Sequence, residues 1–316
     1  MTKVISFNNK FNNINNSIIT FGNFDGIHLG HSKLISDLVI KAKELKGISL
    51  LITFKNHTKK VLCKNSDFKL ITPFDKKIQI LKTFNLDYIV VIDFDDDFSR
   101  ISATSFIKSI IFKFNPGTIF LGYDNKFGYQ GEGDIVFLKK YLNNKQSNIN
   151  IIQFDELVIN GQLIKSSIIK NLILEGAVDK IKFYLGKYLE IDGTVIRGKR
   201  IGHKLGFPTA NIKLNFSEQI LPIHGVYYVN FKFGRSNYKG LCNIGYNPTF
   251  NSNKKKINIE TYLLIEEFLD LYEKKISIEF VERIRDEKKF NNKDELINQI
   301  NNDIRSIERR SDINNG

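Results

Sequence analysis

The stretch FGNFDGIHLGH, residues 21–31, gathers three glycines, an aspartate and two histidines into one turn. The whole chain holds five histidines, and His28 and His31 stand three positions apart here. A strand that ends in glycine-rich sequence and feeds a helix is a phosphate-binding layout. The first N–H groups of the helix are free and sit at the positive end of its dipole. Glycine lets the backbone approach a ligand closely. Imidazoles at i and i+3 can both face a phosphate at that helix start and donate hydrogen bonds to a phosphoryl group whose charge shifts during transfer. That chemistry needs positioning and charge stabilisation, not a covalent intermediate. Two plainer readings stand beside it. The pair could ligate a metal, though no third ligand of suitable spacing is near, and the glycines could serve a turn alone.

A second string, GTVIRGKRIGHKLGFPTANI at 193–212, carries Gly193, Gly198, Gly202 and Gly206, spaced as in a flexible loop that faces a nucleotide. The segment Pro208-Thr209-Ala210-Asn211 follows it. Thr209 and Asn211 offer hard oxygen ligands of the kind Mg²⁺ prefers, with phosphates and waters completing its shell.

The elements that must position these residues change character along the chain. SIITF (17–21), ISLLITF (48–54), YIVVIDF (88–94), TIFLG (118–122) and INIIQF (149–154) read as strands. Between them, Leu34, Ile35, Leu38, Val39 and Ala42 recur at helical spacing within 31–46, and residues 103–113 and 134–142 also read as helix. Thr72-Pro73 reads as a helix start, with Thr72 as the cap and Pro73 in the first turn. Strand–helix alternation predicts a parallel sheet with helices on both faces, a Rossmann-like α/β domain that binds ligands at the carboxyl ends of its strands. After about residue 185 consecutive short strands follow without helices until KDELINQINNDIRSI. This predicts an antiparallel β-barrel closed by a terminal helix. The expected domains are 1–185 and 186–316, abutting without a low-complexity linker.

Composition bounds the partners. With 316 residues, 42% of them hydrophobic, the chain can build two cores. A formal charge of +13 suits phosphorylated small molecules, and no nucleic-acid-binding module is visible. Cys63 and Cys242 lie far apart without a CxxC pattern, so both are expected to be small apolar fillers in a reduced, cytoplasmic protein. No apolar run reaches the roughly 18 residues needed to span a bilayer, and the first residues lack the apolar core of a signal peptide.

GNFDGIHLGH resembles the HxGH signature of the nucleotidylyltransferase superfamily, and its fuller form FDGxHxGH is similar to that of the bacterial bifunctional riboflavin kinase/FAD synthetases. ITFKNHTKKVL (52–62) is similar to the family's TFxPHP segment, with His57 at the histidine, and GYDNKFGYQGEGD (122–134) to its GxDFRFGxxRxGD segment. IKSSIIKNLILEGAV (164–178) falls where the family has ISSTxIRxxLxxGxV, and LGFPTAN within the second string matches the family's kinase motif.

The resemblance implies two reactions. In one, the FMN phosphate attacks the α-phosphorus of ATP, pyrophosphate leaves and FAD forms. His28 and His31 would stabilise the transition state, and Gly22, Asn23, Phe24 and Asp25 would shape the nucleotide site. Ser166, Ser167 and Lys170 would contact phosphates, with Asp124 and Phe127 on the flavin side. In the other, ATP and Mg²⁺ phosphorylate riboflavin. Thr209 and Asn211 would hold the metal and phosphates, Gly198 and Gly202 would face the nucleotide, and Glu260 would take the proton of the ribityl hydroxyl. His203 and Lys204 sit where that loop could approach ATP, and Arg285 is either a substrate contact or a helix cap.

The chain departs from the family pattern at several places. Lys165, Ser167 and Lys170 replace serine, threonine and arginine, Asn125 replaces an aromatic residue, and Asn56 and Thr58 replace prolines. Lysine lacks the planar fork with which arginine grips a phosphate. A monofunctional riboflavin kinase with a weakened first domain is therefore one alternative, and a basic binding protein built on an old enzyme scaffold is another. Which protein partners the chain has, the sequence does not say.

Overall fold

The computed structural model describes residues 1–9, 14–63, 67–198, 206–247, 256–265 and 269–314. They fall into two compact units that divide between Ser166 and Ser167.

The first unit alternates strand and helix as the sequence predicts. Its strands are β1 (Lys3–Ser6), β2 (Ser17–Gly22), β3 (Ile48–Phe54), β4 (Tyr88–Ile92), β5 (Pro116–Gly122), β6 (Asn150–Phe154) and the short β7 (Val158–Ile159) and β8 (Gln162–Leu163). Its helices are α1 (Leu29–Glu44), α2 (Thr58–Leu62), α3 (Phe74–Lys82), α4 (Asp96–Ser99), α5 (Ala103–Phe114) and α6 (Ile135–Asn144). Six parallel strands form one sheet in the order β1-β4-β3-β2-β5-β6. The strand order reverses between β2 and β5. Ligands in open α/β sheets bind at the carboxyl ends of strands beside such a switch, and both motif-bearing loops of this unit start there.

The two faces of the sheet build two cores. Ile19, Phe21, Leu50, Ile52 and Ile119 pack on one face against Phe106, Ile107 and Ile110 of α5 and Leu138 of α6. Ile18, Leu51, Ile89 and Phe120 pack on the other against α1 and Leu81 of α3. The α1 residues that meet the sheet are the five whose spacing marked the helix. α5 starts at a Ser102 cap and ends at Asn115, whose left-handed φ of 39° lets its N–H reach the Ile111 carbonyl.

Three expectations need correction here. β1 was not anticipated: it is four residues long, largely exposed, and held by parallel pairing with β4 and by Ile5 against the core. The start of α3 falls one residue late. Pro73 is its cap, with no side-chain capping bond, and the N–H of Thr72 before it donates to Asp25 Oδ1 at 3.1 Å. Cys63 is exposed, not an apolar filler, whereas Cys242 is buried as expected.

The second unit opens with α7 (Ser166–Glu175) and α8 (Val178–Leu185), helices that the alternation did not anticipate. α8 buries Val178, Ile181, Tyr184 and Leu185 and ends at Gly186 in the left-handed conformation. It packs on β9 (Leu189–Ile196) and β14 (Lys275–Arg285) of the same compact unit. With β10 (Thr209–Leu214), β11 (Gly225–Phe233), β12 (Ser236–Asn247) and β13 (Lys256–Leu263) these strands close an antiparallel barrel in the order β10-β13-β12-β11-β14-β9. Tyr227, Phe231, Ile278 and Phe280 fill its interior.

The terminal helix α9 (Lys293–Asn314) seats Ile307 on Val226 and Leu241. Arg285 donates from Nε to both Asp303 oxygens at 3.0 and 2.9 Å, with Asp303 only 4% exposed. Arg285 thus neither caps nor approaches the start of α9 but pairs with a carboxylate within it. Arg285→Met would leave the Asp303 carboxylate buried without its bidentate partner. We expect the change to destabilise this unit by about 3 kcal/mol, read as an earlier urea transition by circular dichroism.

Candidate functional site

The segment between β2 and α1 turns from strand to helix through an unusual backbone. Phe24 and Ile27 adopt φ of 51° and 42°, and Gly26 adopts 86°. Left-handed conformations are uncommon for bulky residues and persist where their surroundings enforce them. The turn delivers His28 to the cap of α1, where Nδ1 accepts the His31 N–H at 3.3 Å. A backbone N–H can only donate, so Nδ1 carries no proton and Nε2 does. His28 thus presents an N–H donor beside the helix start. The two imidazoles stack, with centroids 3.7 Å apart and planes 13° apart. The Phe24 ring meets His31 edge-on at 5.2 Å. A Cβ on Gly30 would sit 3.3 Å from the His28 ring, so glycine there leaves the imidazole its place.

Burial sets the charge of this pair. It pulls the His28 imidazole down to about 4, with Asp25 opposing. His31 falls well below the ordinary value through burial and the nearby His28 and Lys77. His31 Nδ1 is shielded from solvent with no hydrogen-bond partner among the described residues. Two neutral imidazoles at a helix N-terminus, one with an unused nitrogen, suit a phosphoryl ligand that brings its own oxygens.

Neighbouring elements hold the turn. Asn23 Nδ2 donates to Thr58 Oγ1 at 2.9 Å, and the Thr58 N–H donates to Asn23 Oδ1 at 3.2 Å. The second of these bonds needs an N–H that proline lacks, so Thr58 makes a contact that the family's proline cannot. The buried Asp25 accepts from the N–H groups of Ile71 and Thr72 through Oδ1, and Ser166 Oγ donates to the Asp25 carbonyl at 2.8 Å. Lys77 of α3 is also buried and donates to the Asn23 carbonyl. Sequence reading missed it, although it stands four before Leu81 on the buried side of α3, where an apolar residue is expected.

The loop after β5 comes to the same end of the sheet. Asn125 Nδ2 donates to the Phe21 carbonyl at 2.7 Å, so the amide ties this loop to β2 where the family pattern has an aromatic ring. Asp124 is exposed. Phe127 lies in the apolar core, edge-on to Phe21 at 5.4 Å. The glycines of this loop are sterically fixed: a Cβ on Gly128 would meet Ala103 N at 2.4 Å, and one on Gly133 the Phe127 ring at 2.4 Å. His57 caps α2 by accepting the Lys59 N–H. Lys165 pairs with Glu156 at 3.2 Å. Ser167 and Lys170 lie on α7 in the second unit.

In the barrel, pairing of β10 with β13 sets Asn211 opposite Glu260 and Thr209 opposite Tyr262. Ile259 and Thr261 are buried, and alternation therefore puts Glu260 on the other face of β13. Its Oε1 accepts from Asn258 Nδ2 at 2.7 Å and its Oε2 from Thr209 Oγ1 at 3.4 Å. A Cβ on Gly198 would lie 2.1 Å from Asn211 Nδ2, so this glycine makes room for the Asn211 amide. Thr209, Asn211 and Glu260 thus form one patch of oxygen donors. Gly202, His203 and Lys204 lie outside the described residues.

The folds and sites define the class: an α/β unit with a stacked histidine pair at its switch point, followed by a closed barrel with an oxygen-rich strand pair. A family model described as FAD synthetase matches residues 10–168, and one described as riboflavin kinase matches 185–310. A bifunctional riboflavin kinase/FMN adenylyltransferase of Buchnera aphidicola (subspecies Schizaphis graminum) is 36% identical over 93% of this chain and 94% of its own. The Bacillus subtilis protein of the same description is 35% identical over 91% and 90%, and that of Escherichia coli K12 is 27% identical over 90% of each. The chain belongs to this family of bifunctional riboflavin kinase/FMN adenylyltransferases. A solved structure described as a macrolide-efflux protein from Streptococcus pneumoniae superposes with a TM-score of 0.86 at 26% identity, over 96% of this chain and 97% of that one. Among the described residues no helix is long and apolar enough to cross a membrane.

The neutral histidines predict a pH dependence. Unfolded imidazoles protonate near 6.5, whereas His28 in the folded chain resists until about 4. In that window the unfolded state binds more protons, so stability falls as pH falls. His28→Asn keeps a cap acceptor without the titration. Urea melts at several pH values between 6.5 and 4 should show a shallower decline for the variant, by roughly 3 kcal/mol across the window.

Proposed function

We infer that the chain makes flavin cofactors in two steps. The barrel unit transfers the γ-phosphoryl group of ATP to the terminal ribityl hydroxyl of riboflavin, giving FMN and ADP. The α/β unit joins FMN to the adenylyl group of ATP, giving FAD and pyrophosphate. The observation that carries this reading is that each unit has its own site of the matching chemistry. Stacked neutral imidazoles meet a helix start in one, and a carboxylate, a hydroxyl and an amide share a strand pair in the other. Membership of a family whose relatives are described by both activities supports it, and favours it over a kinase with a silent first domain.

In the adenylyltransferase, assigned to residues 1–185, a phosphate oxygen of FMN attacks the α-phosphorus of ATP and the bond to the β-phosphate oxygen breaks. Charge on the phosphoryl oxygens shifts as this happens. The His28 Nε2–H and the first N–H groups of α1 are donors for those oxygens, and His31 stands against the same ring. Gly22, Asn23, Phe24 and Asp25 shape the nucleotide side, Ser166 steadies the Asp25 carbonyl, and Ser167 and Lys170 contact phosphates. Asp124 serves the flavin side, with Phe127 supporting its loop from the core.

In the kinase, assigned to 186–316, Glu260 takes the proton as the ribityl oxygen attacks the γ-phosphorus. Thr209 and Asn211 offer the neutral oxygen donors that suit Mg²⁺ with its phosphates and waters. The ion would neutralise phosphate charge, while Gly198 leaves Asn211 its place. The work is assigned to the cytoplasm.

Riboflavin, ATP and Mg²⁺ incubated with the purified chain should yield FMN and then FAD by chromatography. FMN without FAD would leave a kinase alone; unchanged riboflavin with folded protein would overturn the kinase assignment, and no FAD from supplied FMN would overturn the adenylyltransferase assignment. Glu260→Gln should slow FMN formation by about a hundredfold or more, while FAD formation from supplied FMN stays at the wild-type rate. Gly198→Ala, which crowds Asn211, should lower FMN formation by about tenfold and spare FAD formation in the same assay.

A further inference from the structure

We propose that Lys77 is a positioning residue for adenylyl transfer, holding the Asn23–Phe24 turn so that the Phe24 ring fixes the His31 and His28 imidazoles. This rests on the adenylyltransferase reading of the first unit. Lys77 is only 6% exposed. Its Nζ donates to the Asn23 carbonyl at 3.0 Å, to Thr53 Oγ1 at 3.1 Å and to the Phe54 carbonyl at 2.9 Å. An ammonium has three N–H groups and no acceptor, so these three bonds use its whole capacity. Burying a charge is costly, and an apolar side chain could fill a helix position facing a core without that cost. A lysine here therefore has a task beyond packing.

The task lies at the residue before the strained one. The carbonyl of Asn23, which also accepts the Thr53 hydroxyl at 3.4 Å, directly precedes Phe24 with its φ of 51°. With the two Thr58 bonds, Asn23 is gripped on both its main chain and its side chain. A fixed Phe24 places its ring on His31, and His31 lies on His28. The contacts run from Lys77 to the phosphoryl donors without a gap, although Lys77 reaches no open surface of the site.

The three acceptors also make the arrangement depend on charge. A neutral amine has two N–H groups, so deprotonation leaves one of the three oxygens without its donor. Asp25, from the β2–α1 turn, is the titratable group that acts on Lys77, and the ammonium in turn helps to keep His31 of α1 neutral. β3 faces it with a hydroxyl and a carbonyl, and its own helix with the Phe74 ring at 5.6 Å. Burial pulls the ammonium down to about 8, with Asp25 opposing.

The test uses the full chain, whose riboflavin kinase activity is an internal control for folding. In Lys77→Met, kcat for FAD formation from FMN and ATP should fall by about tenfold or more, while both KM values move less than roughly threefold. Riboflavin phosphorylation by the same preparation should stay unchanged, and Lys77→Arg should restore part of the loss. Wild-type FAD formation should decline as pH rises through about 8, and Lys77→Met should lack that basic limb. Thr53→Val, close to isosteric, removes one acceptor of the ammonium and should move the limb to lower pH. FAD formation by Lys77→Met within about twofold of wild type, or with the same basic limb, would overturn the inference. If Lys77→Met loses its circular dichroism signal, Thr53→Val decides, and an unmoved limb overturns it. A wild-type chain that makes FMN but no FAD would overturn the adenylyltransferase reading itself, and the inference with it.

Discussion

The first unit depends on one steric constraint. A buried parallel strand becomes a helix within the residues between Gly22 and Leu29, and the chain does not make that turn with an all-right-handed backbone. Two bulky residues and one glycine take left-handed conformations instead. Strain of this kind, of order 1–3 kcal/mol per residue, must be offset nearby. Thr58, Thr53, Asp25 with its two N–H donors, and Asn125 at the end of β2 supply the offset. These hydrogen bonds thus serve one turn, which places two imidazoles at the start of α1, where the helix field is strongest.

The barrel solves a different problem. Its polar patch needs no strained backbone, because strand alternation already puts every second side chain on one face. Register does the rest: Asn211 faces Glu260 across β10 and β13, and Asn243 of β12 faces Glu260 from the other side. What must be exact is space, supplied by Gly198 against Asn211 and by Gly245, where a Cβ would meet Glu287 at 2.3 Å. A closed sheet also has no edge that could slip, so a register set once by closure is kept.

The sequence disclosed what periodicity and local chemistry encode. The α1 face, the parallel and then antiparallel strands, the His28–His31 pair and the Thr209–Asn211 step were all readable. What stayed hidden depends on long-range contact. Lys77 looks like any lysine of an amphipathic helix until β3 closes over it. Phe127 reads as a flavin contact by motif, yet its ring belongs to a core of Phe21, Phe106 and Phe137. Arg285 left two roles open, and its pairing with Asp303 arises only from the docking of α9. β1 had too few residues and too much exposure to give a pattern. The replaced prolines and aromatic looked like losses, but Thr58 and Asn125 each gain a hydrogen bond that the family residue could not make.

The unequal setting of the two thiols gives the chain a ready spectroscopic handle. Cys242 is sealed inside the barrel wall, where burial pushes its thiol up to about 12, and a thiolate is the reactive form. Cys63 is exposed at the end of α2, the short helix whose first residue grips Asn23. A maleimide dye or spin label added near neutral pH therefore attaches at Cys63 without any engineered cysteine. It reports on the segment that braces the turn between β2 and α1 while the barrel stays unlabelled.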